Sequence, residues 1–328
     1  MASTDVPAAD AAYMQAAIAL STRGRGRTRP NPNVGCIVVH AGRVVGRGWT
    51  QPGGRPHAEA IALSQAGARA RDGTAYVTLE PCAHASARGP MCADLLIAAG
   101  VRRIVIAAGD PDPRTNGAGV TKLRAAGIEV VEGVLAAEAR WAMAGYFMQR
   151  ERGRPYVTLK LATSLDGCIA RDDGESQWIT GPEARAHAHL ERARSDMIVV
   201  GGGTLRSDAP RLDVRLQGLE ERVPERAVLT RGHAPQGWTW LASPHDVHTL
   251  SHQYLLIEGG AQAAAAFLRE DLVDRLLLYR APILIGGGKA ALGDIGLAAL
   301  ADAHDRWALA SSRTLGKDVV DEYHRIRG

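Results

Sequence analysis

The chain has 328 residues, of which 46% are hydrophobic and 23% charged, and a net charge of +4. These values exclude a disordered chain and fit a soluble globular protein of two domains better than one. No apolar run approaches the ~20 residues of a membrane span, and Met1–Ala12 carries Asp5 and Asp10 without a basic leader region. Four cysteines in so long a chain do not make a disulfide scaffold, so a cytoplasmic location is expected.

In the first half, Ala11 to Thr22 reads as a short helix with Tyr13, Ala17, Ile18 and Leu20 on its apolar face. The basic run Arg23-Gly24-Arg25-Gly26-Arg27-Thr28-Arg29 reads equally as a solvated loop or as a grip for phosphate. No aromatic residues interleave with these arginines, which argues against an RNA-binding arm. Pro30-Asn31-Pro32-Asn33 stops the helix. Val34–His40 and Arg43–Trp49 then form a hairpin turning at Ala41-Gly42. A helix is expected over 57–65, a strand over 75–79, a helix over 93–99, a strand over 103–108, a helix over 120–126 and a strand over 128–131. This alternation predicts a three-layer α/β domain over residues 1–147.

The charged stretch from Gly145 to Arg154 reads as a domain junction, and a second α/β domain is expected over 154–328. It offers a strand over 156–162 containing Lys160, a helix over 182–194, and a strand over 197–200 running into Gly201-Gly202-Gly203-Thr204. A further strand over 255–257 runs into Glu258-Gly259-Gly260 and a helix over 261–268. Glycines at such turns let backbone approach a phosphate. Neither turn has the G-x-G-x-x-G spacing, so tight structural turns are an equal reading.

The chemistry is concentrated in His57-Ala58-Glu59, Pro81-Cys82 and Cys92. One imidazole and two thiolates suit Zn²⁺ and leave a fourth tetrahedral position for water, while Glu59 stands close enough to move protons. The order matches the zinc-deaminase signature H-x-E…P-C-x-x-C, except that nine residues separate the two cysteines here. A lone cysteine is usually a small buried hydrophobe, and Cys36 and Cys168 read as core or surface thiols and not as ligands. His84 reads either as a pocket residue or as an exposed loop histidine.

Taken together, Pro30-Asn31-Pro32-Asn33-Val34-Gly35-Cys36, Pro56-His57-Ala58-Glu59 and Thr78-Leu79-Glu80-Pro81-Cys82 closely resemble the bifunctional pyrimidine deaminase–reductases of riboflavin biosynthesis. The likeness continues through Asp110-Pro111-Asp112-Pro113, Lys160 to Gly167, Gly174 to Thr180 and Asp208 to Leu212. It implies a cytidine-deaminase-like α/β/α domain followed by a dihydrofolate-reductase-like α/β domain. It also implies two reactions. The first is zinc-dependent deamination of 2,5-diamino-6-ribosylamino-4(3H)-pyrimidinone 5′-phosphate. The second is NADPH-dependent reduction of the ribosyl to a ribityl chain.

By the same resemblance, His57, Cys82 and Cys92 hold Zn²⁺, Glu59 shuttles protons, and Asn33 lies near the pyrimidine ring; His84 is a candidate substrate contact from its place two residues after Cys82. Cofactor contacts map to Ala162, Trp178, Thr204, Asp208 and the stretch Gly260, Ala261, Gln262, Ala263, Ala264, Ala265 and Ala266. Substrate contacts map to Ser176, Arg192, Leu212, Arg215 and Glu258, the arginines suiting phosphate; Lys160, before Ser164-Leu165-Asp166-Gly167, reads from the residues either as an outward strand charge or as a reach to the substrate phosphate. On residue type alone, Trp178 reads equally as a core aromatic and Arg192 as a solvated helix residue.

Three departures from the family stand out: the Cys82–Cys92 interval is one residue longer, Thr50 replaces a histidine, and the segment between Arg215 and Leu255 is abbreviated. The implied partner is a small phosphorylated pyrimidine, not nucleic acid or a membrane; a homo-oligomer is left open. Two rival readings are a zinc deaminase of another purine or pyrimidine with a degenerate reductase, and a non-enzymatic zinc- and RNA-binding protein. Three protein ligands and Glu59 speak against the last, since structural zinc usually has four.

Overall fold

The structure, a computed structural model, describes residues 7–327. The chain divides into two compact units, with the division between Gly153 and Arg154.

The first unit contains α1 (Ala8–Ser21), β1 (Gly35–His40), β2 (Arg43–Trp49), α2 (Ala58–Ala66), β3 (Thr74–Leu79) and α3 (Cys92–Ala98). It continues through β4 (Arg103–Ala108), α4 (Ala118–Ala125), β5 (Glu129–Glu132), α5 (Ala136–Ala142) and α6 (Ala144–Arg152). The sheet order is β2-β1-β3-β4-β5. Strand β1 is antiparallel to both neighbours, and β3, β4 and β5 are parallel. Both faces must therefore be covered, and β1, β3 and β4 are correspondingly buried along nearly their whole length.

Two glycines set how closely the helices approach. A Cβ on Gly35 would stand 2.0 Å from the carbonyl oxygen of Ala17 in α1, and one on Gly48 would stand 2.0 Å from that of Ala58 in α2. Gly48 pairs with Cys36, the neighbour of Gly35, so these contacts fall on opposite faces of the sheet. The result is a three-layer sandwich in which α2 lies backbone-to-backbone on β2, and that contact fixes His57 and Glu59 at its N-terminal end.

The segment read as a junction is instead the helix α6, which buries Tyr146 and Phe147. Its exposed Arg150, Glu151 and Arg152 give it the composition of a linker, but its apolar face belongs to the first unit.

The second unit contains β6 (Tyr156–Thr163), β7 (Cys168–Ala170), α7 (Pro182–Ala193), β8 (Met197–Gly201), α8 (Gly202–Asp208), β9 (Glu225–Leu229) and β10 (Thr239–Leu241). Then follow β11 (Tyr254–Ile257), α9 (Ala261–Arg269), β12 (Arg275–Arg280), β13 (Lys289–Ala290), β14 (Trp307–Leu315) and β15 (Asp318–Arg325). The main sheet has the order β10-β9-β8-β11-β6-β12-β15-β14. It is parallel from β10 to β12, and an antiparallel β15–β14 pair closes one edge. The abbreviated segment after Arg215 still supplies β9 and β10.

From β6 the chain winds outward through β8, β9 and β10. It then returns to insert β11 between β8 and β6, and continues to β12 on the far side. The carboxyl ends of β8 and β11 are thus neighbours from which the chain departs in opposite directions, the place where open α/β sheets form a ligand crevice.

Candidate active sites

His57 is the residue preceding α2, Cys82 lies in the turn after β3, and Cys92 opens α3. His57 Nδ1 is 3.2 Å from Cys92 Sγ and 3.6 Å from Cys82 Sγ. A tetrahedral zinc with ordinary Zn–N and Zn–S bonds requires N···S edges of about 3.6 Å, so the three ligand atoms fit the ion. The backbone N–H of Cys92 donates to Cys82 Sγ at 3.4 Å, and that of Ala93 donates to the Cys82 carbonyl at 3.2 Å. These bonds join the two ligand-bearing segments.

The Cys92 thiol hydrogen-bonds to Cys82 and, with help from His57 and against the cost of burial, pushes the Cys82 thiol down to about 4. The same contact, together with burial, raises Cys92. Cys82 is therefore the sulfur that ionises first. Glu59, in the first turn of α2, is 3% exposed. Burial raises its carboxyl above the usual range, and the charge of His57 partly offsets the rise. Among the described residues only His57, Cys82 and Cys92 form such a ligand group, which leaves one tetrahedral position open.

A cavity of about 250 Å³ opens beside these residues. Asn31 lines it; its Nδ2 donates to the Gly54 carbonyl at 2.7 Å and lies 3.0 Å from His57 Nε2. Asn33, expected to meet the substrate, does not line the cavity. It is fully buried, and its amide donates to the carbonyls of Ser21 and Ala142 at 3.4 and 3.0 Å. The two asparagines flank Pro32, and the chain direction there turns Asn31, not Asn33, toward the metal ligands.

His84 lines the cavity with its Nδ1 3.1 Å from Thr115 Oγ1. Thr50 also lines it, and its hydroxyl accepts from the Val34 N–H. No residue of the basic run from Arg23 to Arg29 does so; the arginines at the rim are Arg55, Arg88, Arg114 and Arg150. Arg114 and Arg150 both pair with Asp112, and Arg114 holds that carboxyl well below its usual range. Among the described residues, Arg55 and Arg88 bond only backbone carbonyls. Sequence reasoning also missed Tyr146, whose helix reads as linker.

The second unit carries a cavity of about 400 Å³ at the β8/β11 crevice. Of the anticipated cofactor contacts, Ala162, Trp178, Thr204, Asp208 and Gly260 line it. So do Lys160, Ser176, Arg192, Arg215 and Glu258. Trp178 is 62% exposed with the Arg185 guanidinium 4.7 Å from its ring centroid, so it is not a core aromatic. Arg192 is not a solvated helix residue either: its Nε and Nη2 donate to Glu258 at 2.6 and 2.9 Å, and its Nη1 to the Asp213 carbonyl. Lys160 Nζ is 3.8 Å from Glu258. Burial opposes ionisation of Glu258, but the Arg192 bonds and the Lys160 charge outweigh it and hold the carboxyl below its usual range.

Gly259 and Gly260 leave bare backbone at this edge: a Cβ on Gly259 would stand 2.9 Å from that of Ala263. The Gly260 N–H donates to Thr204 Oγ1 at 3.0 Å. Bare backbone across the crevice fits a dinucleotide.

Other anticipated contacts do not reach the cavity. Leu212 is 3% exposed and packs with Ile198, Val200 and Leu256. Ala264 and Ala265 are buried against the sheet because they lie on the inward face of α9, and neither they nor Ala261 and Ala266 line the cavity. Gln262 and Ala263 line a separate recess.

This fold and these sites define a zinc-dependent deaminase joined in one chain to a reductase. Residues 7–108 match the cytidine and deoxycytidylate deaminase zinc-binding region, and residues 155–320 match the RibD C-terminal domain. The riboflavin biosynthesis protein RibD of Escherichia coli K12 is 40% identical over 360 residues, covering 94% of this chain and 98% of that protein. Its counterpart in Aquifex aeolicus is 36% identical, covering 96% and 98%.

Among solved structures, Acinetobacter baumannii RibD superposes with a TM-score of 0.88 at 36% identity, covering 97% of this chain and 99% of that one. The deaminase/reductase of Thermotoga maritima does so with 0.86 at 30%, with the same coverage. The chain belongs to the RibD family, and is a riboflavin-biosynthesis enzyme with a zinc-binding deaminase domain and an NADPH-dependent reductase domain. No helix among the described residues is long and apolar enough to cross a membrane.

Proposed function

We propose that the first unit hydrolyses an amine from 2,5-diamino-6-ribosylamino-4(3H)-pyrimidinone 5′-phosphate, and that the second reduces the opened ribosyl of the deaminated product to a ribityl chain. The observation that carries the first step is the His57/Cys82/Cys92 group with an open fourth position and the buried Glu59 beside it. Zinc held there supplies Lewis acidity toward water. Glu59 takes up a proton as water adds to the ring carbon, and returns it to the amine that leaves as ammonia. A carboxyl raised by burial suits both tasks, since a general acid–base works best with a pKa near the working pH. Asn31 lines the cavity beside His57, and the least committed rim arginines, Arg55 and Arg88, face the phosphate.

In the second unit NADPH supplies the hydride. Glu258, fixed by the fork of Arg192, holds Lys160 beside the reacting carbon. Arg192 has its donors occupied, so Arg215, with a side chain 58% exposed, is the freer group for the substrate phosphate. The partner is this small phosphorylated pyrimidine; a net charge of +4 calls for no nucleic acid. All four cysteines are free thiols, as a reducing cytoplasm permits.

The test is Glu59→Gln. Zinc content should stay at the wild-type level while ammonia release falls by about 10²–10⁴-fold, the usual worth of general acid–base catalysis. NADPH should still be oxidised when the deaminated pyrimidine is supplied directly. Undiminished ammonia release would remove Glu59 from the proposed role.

A further inference from the structure

His189 lies on α7 three residues before Arg192, so both side chains leave the same face of the helix. It lines the reductase cavity but is only 8% exposed. Opposite it runs Leu212-Asp213-Val214-Arg215, in which Leu212 and Val214 are buried and Asp213 and Arg215 are accessible. The two buried side chains pin this run, and Asp213 and Arg215 meet the helix.

His189 Nδ1 is 3.1 Å from the Asp213 carbonyl oxygen, and Arg215 Nε–H approaches His189 Nε2 at 3.3 Å. The Arg215 backbone N–H also comes within 3.3 Å of Nδ1. A neutral imidazole carries one N–H and one lone pair. With its hydrogen on Nδ1 it donates to Asp213 and accepts from Arg215 Nε, so both ring nitrogens are used. With the hydrogen on Nε2, that N–H would face the Arg215 Nε–H, and the Nδ1 lone pair would face the carbonyl. The contacts therefore select the first tautomer. The same Asp213 carbonyl accepts from Arg192 Nη1 at 2.9 Å, which ties His189 to both cavity arginines.

With Arg215 Nε held by His189 and 3.5 Å from the Asp213 carboxylate, its two terminal nitrogens carry no bond among the described residues. They form an edge of the guanidinium fork that can bind phosphate bidentately. Fixing the side chain at Nε lowers the entropy lost when phosphate arrives. Protonation undoes this arrangement, because imidazolium has two N–H groups and no lone pair. Nε2–H would then meet Nε–H, and like charge would meet like charge.

We propose that His189, as the neutral imidazole, is a positioning residue that aims the Arg215 fork at the substrate phosphate, which rests on the reading of Arg215 as the phosphate group. The charged groups facing it are Arg192 on α7, Asp213 and Arg215 on the opposing run, and Glu258 after β11, itself 3.8 Å from Lys160 of β6. Burial and the charges of Arg192 and Arg215 push the imidazole below its ordinary 6.5, against the Asp213 bond and Glu258. At neutral pH the lone pair is therefore available. The grip on Arg215 is lost as pH falls through the lowered value.

Initial rates of NADPH oxidation by the full-length, zinc-loaded protein, with the deaminated phosphopyrimidine supplied, test this from about pH 5.5 to 8. Wild-type KM should rise about tenfold toward the acid end, the worth of one hydrogen bond to a charged group, while kcat changes less than about threefold. H189Q keeps an acceptor that does not protonate. Its KM at neutral pH should stay within about threefold of wild type, and only the shallower rise from the phosphate's own ionisation near about pH 6 should remain. H189A should show the raised KM at every pH. On R215A it should add no more than about twofold, because its effect runs through that arginine.

An H189Q profile that keeps the full wild-type acid rise overturns the proposal, and it decides the matter even where H189A does not fold. So does an H189A effect on KM that persists undiminished on R215A, or a loss confined to kcat. If R215A itself leaves KM unchanged, the reading of Arg215 as the phosphate group falls as well.

Discussion

The hydroxyl of Tyr146 donates to Asp110 Oδ1 at 2.7 Å, linking α6 to the loop after β4 at the wall of the deaminase cavity. Asp110 also accepts from the Asp112 N–H at 2.9 Å. Burial raises its carboxyl, and these two bonds work against that rise. Tyr146→Phe removes a donor that favours the charged form, so the Asp110 pKa should rise further. The acid limb of the ammonia-release profile should then shift to higher pH, with a stability loss of about 1.5–3 kcal/mol for the lost hydrogen bond to a charged group. An unmoved limb would reduce the pair to a packing contact.

Asn31 and Asn33 should part company on substitution. Asn31→Ala removes a side chain that lines the cavity against His57, and should lower ammonia release while leaving the unfolding free energy little changed. Asn33→Ala removes the amide that donates to the carbonyls of Ser21 and Ala142. It should cost about 1–3 kcal/mol in unfolding free energy, with zinc affinity and KM little changed in the protein that remains folded. Denaturant unfolding, metal titration and ammonia release together read both outcomes.

Zinc removal should separate the two activities. A chelator that strips the metal abolishes ammonia release, whereas NADPH oxidation with the deaminated pyrimidine persists, because no residue of the reductase cavity belongs to the metal group. Parallel loss of both rates on chelation would contradict this.

The Glu258 cluster should mark the acid side of the stability profile. Its folded pKa lies below the ordinary value of 4.5. The stabilisation is therefore fully present above about pH 4.5 and is lost as pH falls through the lower folded value. Glu258→Gln leaves Arg192 and Lys160 without their counter-charge. At neutral pH it should cost about 2–3 kcal/mol, under the usual 3–5 for a fully buried pair because both cations retain some exposure. The gap in unfolding temperature between wild type and variant should close toward pH 3; a gap independent of pH would refute the assignment.

Much of this architecture is legible in the residues. The β1–β2 hairpin declares itself by Ala41-Gly42 between two apolar runs, and β4 by an unbroken apolar stretch with a charged start. The three metal ligands are readable because ligand type and order are chemically restrictive, whatever their spacing. What escapes is side-chain direction. Asn31 and Asn33 are the same residue type either side of one proline, and only the turn decides which faces the cavity. Tyr146 is hidden because the exposed face of α6 carries Arg150, Glu151 and Arg152. Leu212, Ala264 and Ala265 sit in a matching stretch of sequence, but lie on the buried sides of their segments.

Cys82 and Cys92 are held together by hydrogen bonds at the base of the excursion between them, not by its length. The nine residues in the excursion can therefore lengthen or shorten like the bight of a tied rope, while the knot stays fixed. His84, Ser86 and Arg88 ride on that slack at the mouth of the cavity. Evolution can thus retune what the deaminase accepts by editing this one loop, leaving the ligand geometry as it was.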